Sequence, residues 1–231
     1  PIWEPGTASG YHSMTFGWLT SELILRLTGK SLGTFFREEV GDRHDVDFFI
    51  GLPESEDHRV AELVPFDIVR NENSEQQQVE LTDAQKSQRN SAGTLGIQNT
   101  KAWRQAEIPS ANGQGNAGGL AKLYSLIVPE DNSLKLLKDD TVNQMTTMQI
   151  EGRDLVLAVQ VRWGVGFILN KHKIIYGPIE GAFGHSGYGG SCAFGDPENK
   201  IGVSYVMNRM LDNFNADGRS IELINATYDC L

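Results

Sequence analysis

Phe183-Gly184-His185-Ser186-Gly187-Tyr188-Gly189-Gly190-Ser191 is the stretch whose reading decides the fold of this chain. It places an imidazole, a hydroxyl and a glycine in succession at the start of a short strand. Apolar runs follow, Cys192 to Phe194 and then Ile201 to Met207, split by the turn Gly195-Asp196-Pro197-Glu198-Asn199-Lys200. Two short apolar runs around such a turn read as a β-hairpin. Glycine lacks a Cβ and lets a backbone N–H approach a ligand closely. A His-Ser-Gly edge can therefore line a cleft with one ring, one hydroxyl and one amide.

The rest of the chain reads as helices before this hairpin and one after it. Met14 to Leu27 has a helical apolar pattern, with Leu19, Leu23 and Leu27 at i, i+4 and i+8. Gly29 is placed to end that helix, and Ser31 to cap a second one carrying Leu32, Phe35, Phe36 and Val40. Asp45 to Leu52 is turn-like, with Phe48, Phe49 and Ile50 expected inside. Arg59 to Phe66 alternates weakly and is expected to be a strand or an edge. Asp67 to Ser91 is polar without an apolar face and reads as a surface excursion with one helical turn. Pro109 to Gly119 opens a helix whose face is Leu120, Leu123, Tyr124 and Ile127. Lys135 to Met148 is expected to be helical. Leu155 to Ile168 is expected to be a strand interrupted by Trp163-Gly164-Val165-Gly166. Arg219 to Leu231 closes the chain as a helix with Ile221, Ile224 and Tyr228 on one side. No repeat or domain boundary is visible. The fold class is α+β, with helices packed on an antiparallel sheet.

Composition narrows the function classes. The 231 residues are 39% hydrophobic and 22% charged, ordinary for a globular protein, and the formal net charge is −10. That balance argues against nucleic acid, which needs an excess of Lys and Arg. No apolar run reaches the roughly 18 residues of a membrane span. Cys192 and Cys230 have no metal-ligand spacing and are too few for a disulfide framework, so both are read as thiols. The compartment stays open with a slight cytoplasmic lean, and any signal peptide would lie upstream of Pro1. The triplet Asn225-Ala226-Thr227 matches a glycosylation site, a pattern frequent by chance.

Three motif matches lose to structural readings. Gly113-Gln114-Gly115-Asn116-Ala117-Gly118 fits G-x-G-x-x-G, but the residues before it hold Pro109 and no strand-length apolar run, so a glycine-rich helix entry is the better reading than a dinucleotide site, which needs a strand there. Gly29-Lys30-Ser31-Leu32-Gly33 fits G-x-S-x-G, but a helix stands where a nucleophile elbow requires a strand. His44, Asp45, Asp47, Glu54, Glu56, Asp57 and His58 form an acidic stretch without recognised metal spacing. No cofactor and no metal are expected.

Tyr11-His12-Ser13 closes the first loop and starts the first helix. It is followed by Gly17-Trp18-Leu19 and Leu27-Thr28-Gly29-Lys30-Ser31-Leu32, then by Pro109 to Gly113, Gly118 to Ala121 and Tyr124. Gly184-His185-Ser186-Gly187, Gly190, Phe194, Asp196-Pro197 and Asn208-Arg209 complete the series. In order and spacing these segments resemble the serine β-lactamase and penicillin-binding-protein superfamily, in its class C and family VIII carboxylesterase-like branch. The resemblance runs along most of the chain. That family carries its nucleophile and a lysine in Ser-x-x-Lys. Here no lysine has Ser or Thr three residues before it, and only ten residues precede Tyr11. The resemblance thus implies a single partial domain over 1–231, lacking the family's N-terminal helix and strands.

The resemblance also implies roles. Tyr11 matches the proton-shuttling tyrosine, and His185 stands on the opposite wall. Ser13 replaces an amide-binding Asn. Ser186 and Gly187 line the substrate strand, and the Tyr188 N–H matches one oxyanion donor. The implied activity is small-ester hydrolysis through an acyl-enzyme in the full-length protein, with β-lactam or peptide amides less favoured and this chain inactive alone. The alternative is a non-catalytic binding or scaffold protein. Loss of the N-terminal strands would leave an open sheet edge, so self-association is expected.

Overall fold

The computed structural model describes residues 2–66, 81–89, 96–170, 173, 175–212 and 217–231. The opening loop folds around Trp3, whose indole N–H donates to Ala8 O at 3.1 Å. Helix α1 (Thr15–Thr28) follows, and Gly29 ends it at φ 72, donating its N–H to Leu25 O. Ser31 caps α2 (Leu32–Phe36) by accepting from Thr34 N. A π-helical turn over Arg37–Gly41 and the short α3 (Asp42–His44) continue it. The leucine face of α1 is present but turned to solvent. Gly17 is its only fully buried residue, while Leu19, Leu23 and Leu27 are 68%, 56% and 72% exposed.

The expected strand over 59–66 does not form. Glu54–Arg59 is a 3-10 turn, and beyond it Val64 makes one parallel bridge to Arg209. The Phe48–Ile50 stretch is half-buried, and β1 (Phe48–Phe49) pairs antiparallel with β2 (Gln114–Gly115). This pairing accounts for the glycine-rich stretch, because a Cβ on Gly113 would stand 2.2 Å from the Phe48 ring. Of the polar excursion, α4 (Asp83–Arg89) is described, and 67–80 and 90–91 lie outside the described residues. Thr100 caps α5 (Lys101–Gln105), and Asn116 caps α6 (Ala117–Ile127). The helix expected over 135–148 is shorter, α7 (Asp139–Thr146). Leu136 N is instead drawn to Leu126 O at the end of α6.

The main sheet is a six-stranded antiparallel meander in chain order. Its strands are β3 (Ile150–Arg153), β4 (Gln160–Trp163), β5 (Ile168–Leu169), β6 (Phe183–Ser186), β7 (Cys192–Asp196) and β8 (Ile201–Tyr205). The strand expected to start at Leu155 is thus corrected. Residues 154–158 turn the chain, because Asp154 Oδ1 captures Val156 N and Leu157 N and Ala158 sits at φ 59. Asp217 caps the closing helix α8 (Gly218–Tyr228).

Side-chain alternation sends β6 and β7 into two cores. Phe194 and Cys192 pack with Tyr176, Ala182 and Ile224 of α8. Phe183 and Ala193 pack with Tyr124, Ile127 and Val128 of the α6 region. Helices on both faces of an antiparallel sheet give the expected α+β class. Among the described residues no helix is long and apolar enough to cross a membrane.

Contact between α6 and β8 requires a glycine. A Cβ on Gly202 would lie 2.1 Å from Ala121 O and 2.4 Å from Ser125 N, both backbone atoms. Gly218, at the start of α8, has open space around it. Gly202→Ala is therefore expected to cost about 1–3 kcal/mol of unfolding free energy, while Gly218→Ala is neutral or gains up to about 1 kcal/mol. Denaturant unfolding of the two variants checks both signs.

Candidate active site

The structure brings Tyr11 and His185 together from opposite ends of the chain. Their ring centroids are 5.8 Å apart. Trp163, at the end of β4, joins them: it lies 6.0 Å from Tyr11 and nearly parallel to it, and 5.8 Å from His185. The three rings form a triangle of almost equal sides.

Strand geometry orients His185. It pairs with Ala193 on the α6 face, so its neighbours Gly184 and Ser186 point to the α8 face. His185 Nδ1 lies 2.7 Å from Ser186 O. A carbonyl only accepts, so Nδ1 carries the proton and Nε2 of the neutral ring has the free lone pair. Burial lowers the imidazole pKa, with the hydrogen bond to Ser186 O opposing it. The ring is thus held neutral and can accept a proton or hydrogen bond at Nε2.

Tyr11 is held at backbone and ring. Its N–H donates to Asp154 Oδ1 at 3.1 Å, and next to it Leu155 N donates to Ser9 O at 2.9 Å. Burial raises the phenol pKa above its ordinary value, and the negative Asp154 adds to the rise. At neutral pH Tyr11 is a protonated phenol, a donor rather than a base.

The other expected site residues are placed less uniformly. Ser13 is half-buried in the turn before α1, two residues after Tyr11. The Ser186 hydroxyl is buried on the α8 face, 3.4 Å from the fully buried Tyr176 hydroxyl, and does not share a face with His185. Strand alternation separates the two side chains that adjacency in sequence had joined. The Gly187 N–H donates to Ser191 O at 2.7 Å, so it is used inside the turn. Tyr188 projects outward, with its hydroxyl donating to Asp212 and its ring edge-on to Phe66. Trp163 and Asp154 went unrecognised in the sequence. Trp163-Gly164 read as a break in a strand, and Asp154 as the residue before one.

The acidic stretch is occupied by ion pairs. Asp47 takes Arg59 and Asn116, Asp57 takes Arg104, and Glu54 takes Lys101. Among the described residues no group of three or more His, Cys, Asp or Glu converges. Both cysteines are free, and burial pushes the Cys192 thiol up to about 11.

Known proteins sharpen the picture. The Beta-lactamase family model matches residues 1–226. Esterase/beta-lactamase LipL of Mycobacterium tuberculosis (strain ATCC 25618 / H37Rv) is 32% identical over 222 residues, covering 88% of this chain and 49% of that protein. The crystal structure of a family VIII carboxylesterase superposes with a TM-score of 0.90 at 42% identity, over all of this chain and 61% of its own. A penicillin-binding protein homolog from Caulobacter crescentus gives a TM-score of 0.85 at 36% identity, with the same coverages. The chain spans about half the length of the curated relative and 61% of each of these two structures.

Because burial disfavours the His185 cation, the unfolded chain takes up a proton below pH 6.5 that the folded chain refuses until lower pH. Stability therefore falls as pH drops below 6.5 and is fully present above it. His185→Gln should flatten this part of the stability curve, measured by denaturant unfolding at several pH values. An unchanged slope would show that His185 is not held neutral.

Proposed function

This chain belongs to the beta-lactamase family, and we propose that it supplies the Tyr–His wall of a serine hydrolase that cleaves small esters through an acyl-enzyme. The observation that carries the reading is the Tyr11–His185 approach at 5.8 Å inside a fold shared with a carboxylesterase. The nucleophile and its lysine come from a Ser-x-x-Lys segment that these 231 residues do not contain, so the chain alone forms no acyl-enzyme.

In the full-length protein the serine hydroxyl attacks the ester carbon. Its proton passes toward Tyr11, and the leaving alkoxide takes a proton as it departs. Water then attacks the acyl-enzyme and regenerates the serine. Tyr11 cannot begin as a phenolate in the surroundings found here, because burial and Asp154 both oppose it. The lysine ammonium supplies the charge that favours the phenolate. His185 presents Nε2 across from Tyr11, to orient the phenol or a polar group of the substrate. The Tyr188 N–H serves as an oxyanion donor together with the amide of the nucleophile. One feature favours esters over amides: Ser13 stands where the family has an amide-binding Asn.

The isolated chain is also read as self-associating. The solvent-facing leucines of α1 and the terminal strand β8 offer an apolar face and a sheet edge to a second copy. Sedimentation of the 231-residue chain should give species larger than a monomer, reduced by Leu19→Gln with Leu23→Gln. A monomer that melts cooperatively would refute this.

For the catalytic reading, intact mass and fluorophosphonate labelling of the natural protein decide. The expected species is longer than 231 residues and labels on the serine of a Ser-x-x-Lys motif. Tyr11→Phe in that protein should lower kcat on short acyl esters by about 10²–10⁴-fold. Failure to label, or full activity in Tyr11→Phe, would remove the assignment.

A further inference from the structure

We propose that Asp154 is the positioning residue for Tyr11: its buried carboxylate pins the Tyr11 backbone to the β3–β4 turn and so sets where the phenol stands opposite His185. The inference rests on the reading of Tyr11 as the proton-transferring group.

Asp154 is fully buried. One oxygen, Oδ1, accepts from Tyr11 N at 3.1 Å, Val156 N at 2.9 Å and Leu157 N at 2.9 Å. The latter two build the local turn. The first reaches 143 residues back along the chain. Leu155 N to Ser9 O adds a second tie beside it. The same hairpin then supports the ring, because β4 ends in Trp163, which stacks on Tyr11. One hairpin thus holds both the backbone and the side chain of Tyr11.

The second oxygen shows that turn formation is not the whole account. Oδ2 is buried and has no hydrogen-bond partner among the described residues. Buried polar atoms are nearly always paired, and leaving one unpaired is costly. A turn alone needs only one acceptor oxygen, which Asn also offers. The carboxylate instead places a buried negative charge near the phenol. It disfavours the phenolate and keeps the Tyr11 proton on oxygen until a cation arrives. Among the described residues the other ionisable groups near Tyr11 are His185, facing it ring to ring, and Tyr176, close enough to respond to its charge.

Asp154→Ala and Asp154→Asn test this in the full-length protein. Asp154→Ala removes the acceptor and the charge, whereas Asp154→Asn keeps an acceptor oxygen and removes only the charge. Two readouts are needed: kcat and KM on a short acyl ester, and ultraviolet titration of the Tyr11 phenol, isolated by subtracting Tyr11→Phe. Asp154→Ala should lower kcat by about 10–100-fold with little change in KM, the signature of a misplaced catalytic group. Asp154→Asn should recover most of that loss. In both variants the phenol midpoint should move down, because a repelling anion is gone. A folded Asp154→Ala protein with wild-type kcat and an unmoved phenol midpoint would overturn the proposal. If Asp154→Ala does not fold, Asp154→Glu, which moves the acceptor oxygen by one methylene, decides in its place, and an unchanged kcat overturns the proposal. If the wild-type protein turns over no ester, the proposed hydrolase fails, yet the phenol titration still reports on the link between Asp154 and Tyr11.

Discussion

Phe183 and Phe194 are both completely buried, in neighbouring antiparallel strands, on opposite faces of one sheet. The rest of the structure depends on that arrangement. Full burial of each phenylalanine contributes about 1.5–3 kcal/mol, and the two-residue period then fixes the direction of every neighbouring side chain. With Phe183 facing α6, His185 must face the same way, and Ser186 must face α8. A slip of one residue would exchange them and drive each ring into the core shaped for the other. The direction of the candidate catalytic imidazole is therefore a by-product of core packing.

Buried carboxylates complete what apolar burial cannot. Asp154, Asp196 and Asp217 are all buried, and each collects backbone amides at a turn or helix start. Asp196 also accepts from Tyr228 at 2.7 Å, fastening α8 to the β7–β8 turn. Asp217 receives Arg219, whose guanidinium also reaches Gly189 O at 3.2 Å, behind the turn that carries Tyr188. Burying a charge without partners is expensive, and several N–H donors offset that cost. Each of these residues converts a flexible connection into a fixed one. Asp154 does so for Tyr11, and Asp217 does so through Arg219 for the turn that carries Tyr188.

Local signals in the sequence were faithful where one element decides its own conformation. Gly29 ended α1, Ser31 capped α2, and Ile221, Ile224 and Tyr228 formed the inner face of α8. They failed where a distant partner decides. Leu155 to Ile168 has the composition of one strand, yet Asp154 captures the following amides and Ala158 reverses the chain. Lys135 to Met148 has helical spacing, but a hydrogen bond to Leu126 O claims its first turn. The leucines of α1 have the spacing of a buried face, and spacing does not say what covers it.

The sequence by itself determined the family resemblance, the α+β class, the hairpin after His185 and the pairing of Tyr11 with His185 as candidates. It also excluded a nucleophile motif from these 231 residues, since that is a matter of spelling. Tertiary structure alone decided that Trp163 closes the ring triangle, that Asp154 holds Tyr11, and that Ser186 is turned away from the imidazole beside it. The physical reason is distance along the chain. Contacts between residues 11, 154, 163 and 185 exist only after the sheet has formed, and no local preference of any one residue encodes them.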